Sequence, residues 1–138
     1  MNAYMDSSVI LRLILGEPGQ LTGWDRFDRL VCSELAELEC LRAVDRLRIR
    51  HHLAEEEVLT RREAVFHLLE AMEIVGVTRP ILKRAANTFP VMIGTLDAIH
   101  LATALAWQDE YGADLTVATH DRMLGQAARA LGLKTIGV

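Results

Sequence analysis

The sequence has little of what several common classes of protein need. Its two cysteines, Cys32 and Cys40, lie eight residues apart and form no C-x-x-C pair or Cys/His cluster, which argues against a zinc site and a disulfide framework. We expect two buried, reduced thiols. No apolar run approaches the roughly 20 residues of a membrane span, and the N-terminus lacks the basic segment and apolar core of a signal peptide. We therefore expect a cytoplasmic protein that does not cross a membrane.

The sequence also lacks an excess of positive charge. The 15 Lys and Arg residues are outnumbered by 19 Asp and Glu residues, which gives a net charge of −4. This balance argues against a protein that wraps nucleic acid electrostatically, although it allows a local basic patch. Neither a G-x-x-x-x-G-K-[ST] P-loop nor a G-x-G-x-x-G fingerprint occurs, which disfavours nucleotide hydrolysis and dinucleotide redox chemistry. The 138 residues, 51% of them hydrophobic, suit a single domain over residues 1–138.

Predicted strands and helices alternate along most of the chain. We predict strands at residues 3–5, 30–32, 74–77, 115–118 and 133–136. The helices between them are predicted to begin near residues 7, 33, 55, 79, 95 and 119, and the N-caps are predicted at Ser7 or Ser8, Ser33 and Thr95. This alternation predicts a three-layer α/β/α fold, in which helices cover both faces of a mainly parallel sheet.

The helix over residues 55–72 is predicted to be amphipathic and to form a hairpin with the helix before it. Its predicted core face consists of Val58, Leu59, Val65, Phe66 and Leu69.

The segment TLDAIHLATA, residues 95–104, places a single carboxylate, Asp97, in the first turn of an otherwise apolar helix. The next charged residue is Asp109, and alanines recur at i, i+4 spacing, so that another element can pack closely. We expect this helix to be buried. Its carboxylate must then face a cleft, pair with another group or bind a metal, because an isolated buried charge is costly. The alternative is a first-turn acid favoured only by the helix dipole, and His100 is expected to be a packed core histidine.

Four acids follow strands or begin helices at the same predicted edge of the sheet. In parallel α/β sheets, ligands bind outside the carboxyl ends of the strands, which is where Asp6, Glu39, Asp97 and Asp121 are expected to converge. Two like charges about 4 Å apart repel by about 4 kcal/mol at an effective dielectric of 20. A divalent cation relieves that repulsion, and a set of oxygen ligands without Cys or His favours Mg²⁺, with Mn²⁺ as the expected substitute.

Each acid also has a purely structural interpretation. Asp6 and Asp121 could each cap a helix, and Glu39 could be a solvated helix residue among neighbouring glutamates. The basic series from Arg42 to His51 is typical of a solvated face, although it could also contact phosphates.

Four segments in this order, YMDSSVIL, CSELAELECLRA, TLDAIHLATA and VATHDRMLGQAARALGL, resemble the PIN-domain ribonucleases and, within them, the VapC-type toxins. The resemblance spans nearly the whole chain. It implies that Asp6, Glu39 and Asp97 are the three central metal-binding, catalytic acids and that Asp121 is a fourth, more variable one. It also implies that two hydroxyl side chains, Ser8 and Thr119, support the metal site. Glu37 and Glu34 are alternatives to Glu39 in the same motif.

The resemblance further implies Mg²⁺-dependent endonucleolytic cleavage of RNA by a homodimer. A cognate antitoxin would block the acidic site with a basic side chain. Three other functions stay open: a non-catalytic protein- or RNA-binding module, an RNA-processing nuclease outside a toxin–antitoxin pair, and a phosphatase with an aspartyl nucleophile. The phosphatase is disfavoured because such sites generally have a second acid two residues later, where this chain has Ser8.

Overall fold

A single parallel sheet forms the centre of the protein. The computed structural model describes all 138 residues and contains the strands β1 (Asn2–Met5), β2 (Arg29–Ser33), β3 (Glu73–Val75), β4 (Leu115–Ala118) and β5 (Lys134–Ile136). Their order is β3-β2-β1-β4-β5, and every neighbouring pair is parallel. The first strand therefore lies at the centre, and the change of direction in the strand order falls beside its carboxyl end. Ligands bind at such a point in open α/β sheets.

Six helices cover the sheet. They are α1 (Ser7–Ile14), α2 (Glu34–His51), α3 (Glu55–Glu70), α4 (Arg79–Ala85), α5 (Thr95–Tyr111) and α6 (Arg122–Ala130), and a single 3-10 turn spans Trp24–Arg26. None of the helices is long and apolar enough to cross a membrane.

The core has two halves because successive strand residues point to opposite faces. Tyr4 packs in one apolar cluster with residues of α5 and α6, such as Leu101 and Leu124. Met5, the next residue, packs in a second cluster with residues of α1, α2 and α3, such as Val65. The predicted three-layer α/β/α arrangement is confirmed.

One predicted cap agrees with the structure, and a glycine ends the central helix. The Ser33 hydroxyl accepts the Leu35 backbone N–H at 3.1 Å and caps α2. The central helix α5 ends at Tyr111, and Gly112 follows it with a φ of +58°. This left-handed conformation suits glycine because it has no Cβ.

Two other predicted caps, Ser7 or Ser8 for α1 and Thr95 for α5, are wrong, whereas the structural interpretation of Asp6 as a helix cap is correct. Asp6, rather than Ser7 or Ser8, is the N-cap of α1, and its carboxylate accepts the Ser8 backbone N–H at 3.4 Å. Thr95 is already the first residue of α5, and the preceding Gly94 makes no side-chain cap. A carboxylate is as good a cap as a hydroxyl, so the pattern D-S-S does not distinguish which residue comes first.

The predicted core face of α3 is only partly right. Val65 and Leu69 are buried, whereas Leu59 and Phe66 are 53% and 41% exposed. Adjacent residues of a helix are separated by about 100° of rotation. A buried stripe through residues 65 and 69 therefore turns Phe66 toward solvent.

Both cysteines are buried and unpaired, as predicted. Burial is the main cause that raises the pKa of each thiol to about 12, with smaller contributions from Glu37 at Cys32 and from Glu39 at Cys40.

Because the thiolate is the reactive form, the folded protein is expected to resist labelling by a disulfide reagent such as DTNB at about pH 8. Both thiols are expected to react at once in denaturant. Absorbance of the released thiolate measures this directly. Rapid labelling of the native protein would contradict the burial of these residues.

Candidate active site

Asp6 is the buried centre of the site. It follows β1, and its backbone N–H continues the sheet by donating to the Ala118 carbonyl at 3.0 Å. Its side chain is almost fully buried, so its charge needs partners. Oδ2 accepts hydrogen bonds from the Ser8 hydroxyl at 2.5 Å and the Thr119 hydroxyl at 2.9 Å.

Ser8 and Thr119 connect Asp6 to the loop after β4. The Ser8 oxygen accepts the His120 backbone N–H at 3.0 Å, and the Thr119 oxygen accepts the Asp121 backbone N–H at 2.9 Å. The two hydroxyls therefore fix the Asp6 carboxylate and the approach of Asp121 to it. Their implied role in supporting a metal site stays a prediction.

Asp97 has a different environment. Its carboxylate makes no hydrogen bond or ion pair with any protein group, and it is half-buried. Burial is the largest cause that raises its pKa to about 6, followed by the charges of Asp121 and Asp6, with a smaller contribution from Glu39 and an opposing effect of His100. Because Asp97 caps nothing, a capping role does not account for it. The first-turn position is favourable for an acid, but the neighbouring acids counteract that benefit.

Glu39 on α2 is held by a histidine that the sequence did not assign to the site. His100 Nε2 lies 2.5 Å from Glu39 Oε1 and 3.7 Å from Asp6 Oδ1, and Nδ1 lies 2.8 Å from the Tyr4 hydroxyl. Burial alone lowers the pKa of His100, but the hydrogen bond that Nε2 donates to Glu39 and the charges of Asp6, Glu39 and Asp97 together raise it. The histidine is buried, as predicted, but its partners are the acids. The available signal was its i, i+3 spacing from Asp97, which places both on one helix face.

Asp121 does cap a helix. Oδ1 accepts the backbone N–H groups of Met123 and Leu124 at 2.8 and 3.2 Å, at the start of α6. Oδ2 has no hydrogen-bond partner in the protein, so the cap occupies one oxygen and leaves the other free. The structural interpretation of Asp121 is therefore correct without excluding a second role.

All four acids line one pocket of about 420 Å³. A larger cavity of about 620 Å³ between α4 and the start of α5 is mostly apolar and contains none of these acids. We place the candidate site in the smaller pocket because all four acids converge there.

Two members of the basic series, Arg42 and Arg46, are the only basic residues that line the acidic pocket. Arg42 pairs with Asp45 at 3.0 Å on the helix surface, whereas Arg46 has no ion-pair partner. Part of the basic series therefore lies at the site rather than on a purely solvated face, a distinction that helical spacing alone could not make.

The donor set fits a divalent cation in its chemistry. Carboxylates and hydroxyls are oxygen ligands of the kind that Mg²⁺ and Mn²⁺ prefer, and Asp97 has like charges around it with no compensating partner of its own. The side chains as they stand do not form a three-residue cluster around one point. Glu39 is turned to His100, and Asp6 is turned to Ser8 and Thr119. Binding of a cation therefore needs side-chain rotation, and Asp97, which has no hydrogen bond to break, is the acid that can turn without losing one.

Comparisons with known proteins point to one family. The sequence model of the PIN domain matches residues 3–130. Ribonuclease VapC46 of Mycobacterium tuberculosis is 34% identical over an alignment that covers 96% of this chain and 95% of that protein. Ribonuclease VapC47 of the same species is 28% identical, with 96% and 93% covered.

Solved structures show the same fold. The match to VapBC2 from Rickettsia felis, bound to a DNA fragment from its promoter, has a TM-score of 0.69 at 14% identity and covers 99% of this chain and 98% of that one. The match to VapBC-1 from nontypeable Haemophilus influenzae has a TM-score of 0.61 at 20% identity and covers 99% and 97%. Identities this low establish the architecture alone.

Proposed function

Since the chain belongs to the PIN domain family, we propose that it is a single-domain, Mg²⁺-dependent endoribonuclease and the toxin of a VapBC-like toxin–antitoxin pair. The observation that carries this proposal is Asp97, an acid without a hydrogen-bond partner that faces three other acids in one pocket. Two relatives are named as ribonucleases, and several structural neighbours are toxin–antitoxin complexes. The pocket supports the proposal because it brings together carboxylate oxygens, the ligands that Mg²⁺ prefers.

In this proposal, Asp6 and Asp97 are the main ligands of Mg²⁺, with Mn²⁺ as a substitute, and Glu39 and Asp121 complete the acidic set. When bound, such a cation lowers the pKa of a water molecule and neutralises charge on a phosphodiester. Ser8 and Thr119 keep Asp6 in one orientation, because both hydroxyls donate to the same carboxylate oxygen. Asp97, whose pKa is about 6, is ionised at neutral pH and can turn toward the cation.

The proposed substrate is RNA, whose backbone must approach a strongly acidic pocket. Arg42 and Arg46 offset part of that repulsion, since a guanidinium binds phosphate oxygens with two parallel hydrogen bonds. They lie one helical turn apart on α2, so both can contact the same strand. The free side chain of Arg46 can do so without losing an ion pair.

We also propose that the protein is a homodimer and that a cognate antitoxin inhibits it. An arginine from the antitoxin could bind the carboxylates in place of the metal. Light scattering tests the dimer, and a monomer at micromolar concentration would contradict it. A stoichiometric antitoxin complex is expected to lose ribonuclease activity, and full activity of that complex would refute the inhibition.

The direct test of the proposed chemistry is cleavage of a structured RNA with and without metal. Cleavage is expected with Mg²⁺ or Mn²⁺ and is expected to stop on addition of EDTA. Cleavage that persists in EDTA would exclude the metal, and no cleavage under any condition would favour a binding module.

Binding of metal can be measured without RNA. Mn²⁺ is expected to raise the melting temperature, because a ligand that binds only the folded state stabilises it by about 2.7 kcal/mol at about 100 times its Kd. Glu39→Gln is expected to reduce the gain, whereas Glu37→Gln, which removes an equal charge from the same helix outside the pocket, is expected to retain it. NaCl at matched ionic strength controls for screening. Equal gains in both variants would show that Glu39 is not a ligand.

A further inference from the structure

His100 is a buried histidine whose polar contacts all lead toward the acidic pocket. It is 1% exposed. Its Nε2 lies between two of the acids, in hydrogen-bonding contact with Glu39 at 2.5 Å and at 3.7 Å from Asp6. Glu39 comes from α2, Asp6 from the position directly after β1, and His100 from α5. One N–H group therefore lies where three separate elements meet.

Tyr4 fixes the orientation of this imidazole. Tyr4 is buried on β1, two residues before Asp6, and its hydroxyl lies 2.8 Å from His100 Nδ1. The two rings also meet edge to face, with centroids 6.0 Å apart and an angle of 73° between their planes. A flip of the imidazole would break the hydrogen bond between Nδ1 and the Tyr4 hydroxyl. An ionised carboxylate can only accept, so the hydrogen on Nε2 points at Glu39.

Glu39 needs such support. A glutamate side chain loses about 1.5–2 kcal/mol of rotamer entropy when it is fixed in one conformation. Here the hydrogen bond holds Oε1 and leaves Oε2 free. The side chain of Glu39 is then already held in one conformation before a cation binds, so that binding does not have to supply this entropy cost. Hydrogen bonds to metal-binding carboxylates usually have this effect.

We infer that His100 is a positioning residue of the metal site, which orients Glu39 through Nε2 and is itself oriented by Tyr4. This inference rests on the proposed function, because it concerns how well the acidic set binds a divalent cation. A histidine that served only the packing of α5 would not need a carboxylate partner on another helix.

The test is the Kd for Mn²⁺, measured by titration calorimetry on the RNA-free protein. His100→Leu removes both polar contacts and is expected to weaken Mn²⁺ binding about 10- to 100-fold, the range typical for loss of such a partner. His100→Gln places an amide N–H near the position of Nε2 and is expected to restore affinity to within a few fold of wild type. Tyr4→Phe removes only the anchor at Nδ1 and is expected to give an intermediate loss.

The matched control is Thr103→Val on the same helix. The buried Thr103 hydroxyl donates to the Ile99 carbonyl at 2.7 Å and does not reach the pocket. This variant is expected to lose stability but to bind Mn²⁺ as wild type does. If His100→Leu acted only by loosening α5, Thr103→Val would weaken Mn²⁺ binding by the same factor.

A double-mutant cycle separates positioning from packing. In a Glu39→Ala background, His100→Leu is expected to weaken Mn²⁺ binding by no more than about twofold, since the carboxylate it orients is gone. Wild-type affinity in His100→Leu, or an equal loss with and without Glu39, would overturn the inference. If His100→Leu fails to fold, the Mn²⁺ affinities of His100→Gln and Tyr4→Phe test the inference instead. An affinity of His100→Gln as low as that of Glu39→Ala would then overturn it. Absence of Mn²⁺ binding in wild type would instead refute the proposed function.

Discussion

Asp97→Asn is expected to abolish RNA cleavage and at the same time to raise the melting temperature of the metal-free protein. The loss of activity follows because the variant lacks a carboxylate that is proposed to hold the cation. The gain in stability follows because Asp97 faces Asp6, Glu39 and Asp121 without a compensating hydrogen bond. Removing one of several like charges relieves their repulsion.

The gain is expected to depend on pH. The pKa of Asp97 is raised from 3.8 to about 6, so the folded protein holds this proton more tightly than the unfolded chain does. The contribution of Asp97 to stability is therefore fullest below about pH 4 and is lost as the pH rises through about 6. The variant has no such group, so its advantage should be absent near pH 4 and complete near pH 7 to 8. For a half-exposed group, solvent screening limits the effect to about 1 kcal/mol.

Melting curves of wild type and Asp97→Asn between about pH 4 and 8, in EDTA and in Mn²⁺, measure how the difference in stability depends on pH and on the metal. Glu37→Gln is the control, because it removes one negative charge outside the pocket. Mn²⁺ should reverse the order of stability, with wild type above Asp97→Asn. Wild-type cleavage by Asp97→Asn would refute the metal site, and an unfolded variant would identify Asp97 as a structural residue.

The position of the acids could be predicted because parallel topology fixes it. Once strands alternate with helices, residues that follow the strands must share one edge, and this argument placed Asp6 and Asp121 beside each other without any distance information. Asp97 could be identified because a charge in an otherwise apolar, buried helix requires an explanation.

Side-chain partners could not be predicted in the same way. The sequence offered Ser7, Ser8 and Asp6 as caps of α1 and could not decide between them, since carboxylate and hydroxyl caps are equivalent at the level of sequence. The role of His100 depends on Tyr4 and Glu39, which lie 96 and 61 residues away along the chain. Contacts of that range come from tertiary packing, which spacing within one helix does not encode.

The basic series on α2 shows the same limit. Arg42 and Arg46 line the pocket and Arg48 does not, although Arg42 and Arg48 both pair with Asp45. All three belong to one helix, and only the packing of that helix against the sheet decides which of them faces the acids.

The double variant Arg42→Ala/Arg46→Ala is expected to raise the KM for RNA about tenfold or more with little change in kcat. Each arginine is proposed to contact a phosphate outside the metal site, and a hydrogen bond to a charged group contributes about 1.5–3 kcal/mol. Loss of binding that is equal in the ground and transition states appears in KM alone. The affinity of the double variant for RNA should also depend less on salt concentration. Each phosphate contact with a single strand contributes about −0.7 to the slope of log K against log salt concentration.

Steady-state cleavage of a single-stranded RNA at several salt concentrations measures both quantities. Arg50→Ala is the matched control, because Arg50 is exposed on the same helix and does not line the pocket. Arg50→Ala removes one positive charge, as each substitution of the double variant does, and should leave KM nearly unchanged. An equal effect of Arg50→Ala would mean that only overall charge matters. A fall in kcat at constant KM would place the two arginines in the chemical step, since they would then stabilise the transition state without contributing to ground-state binding.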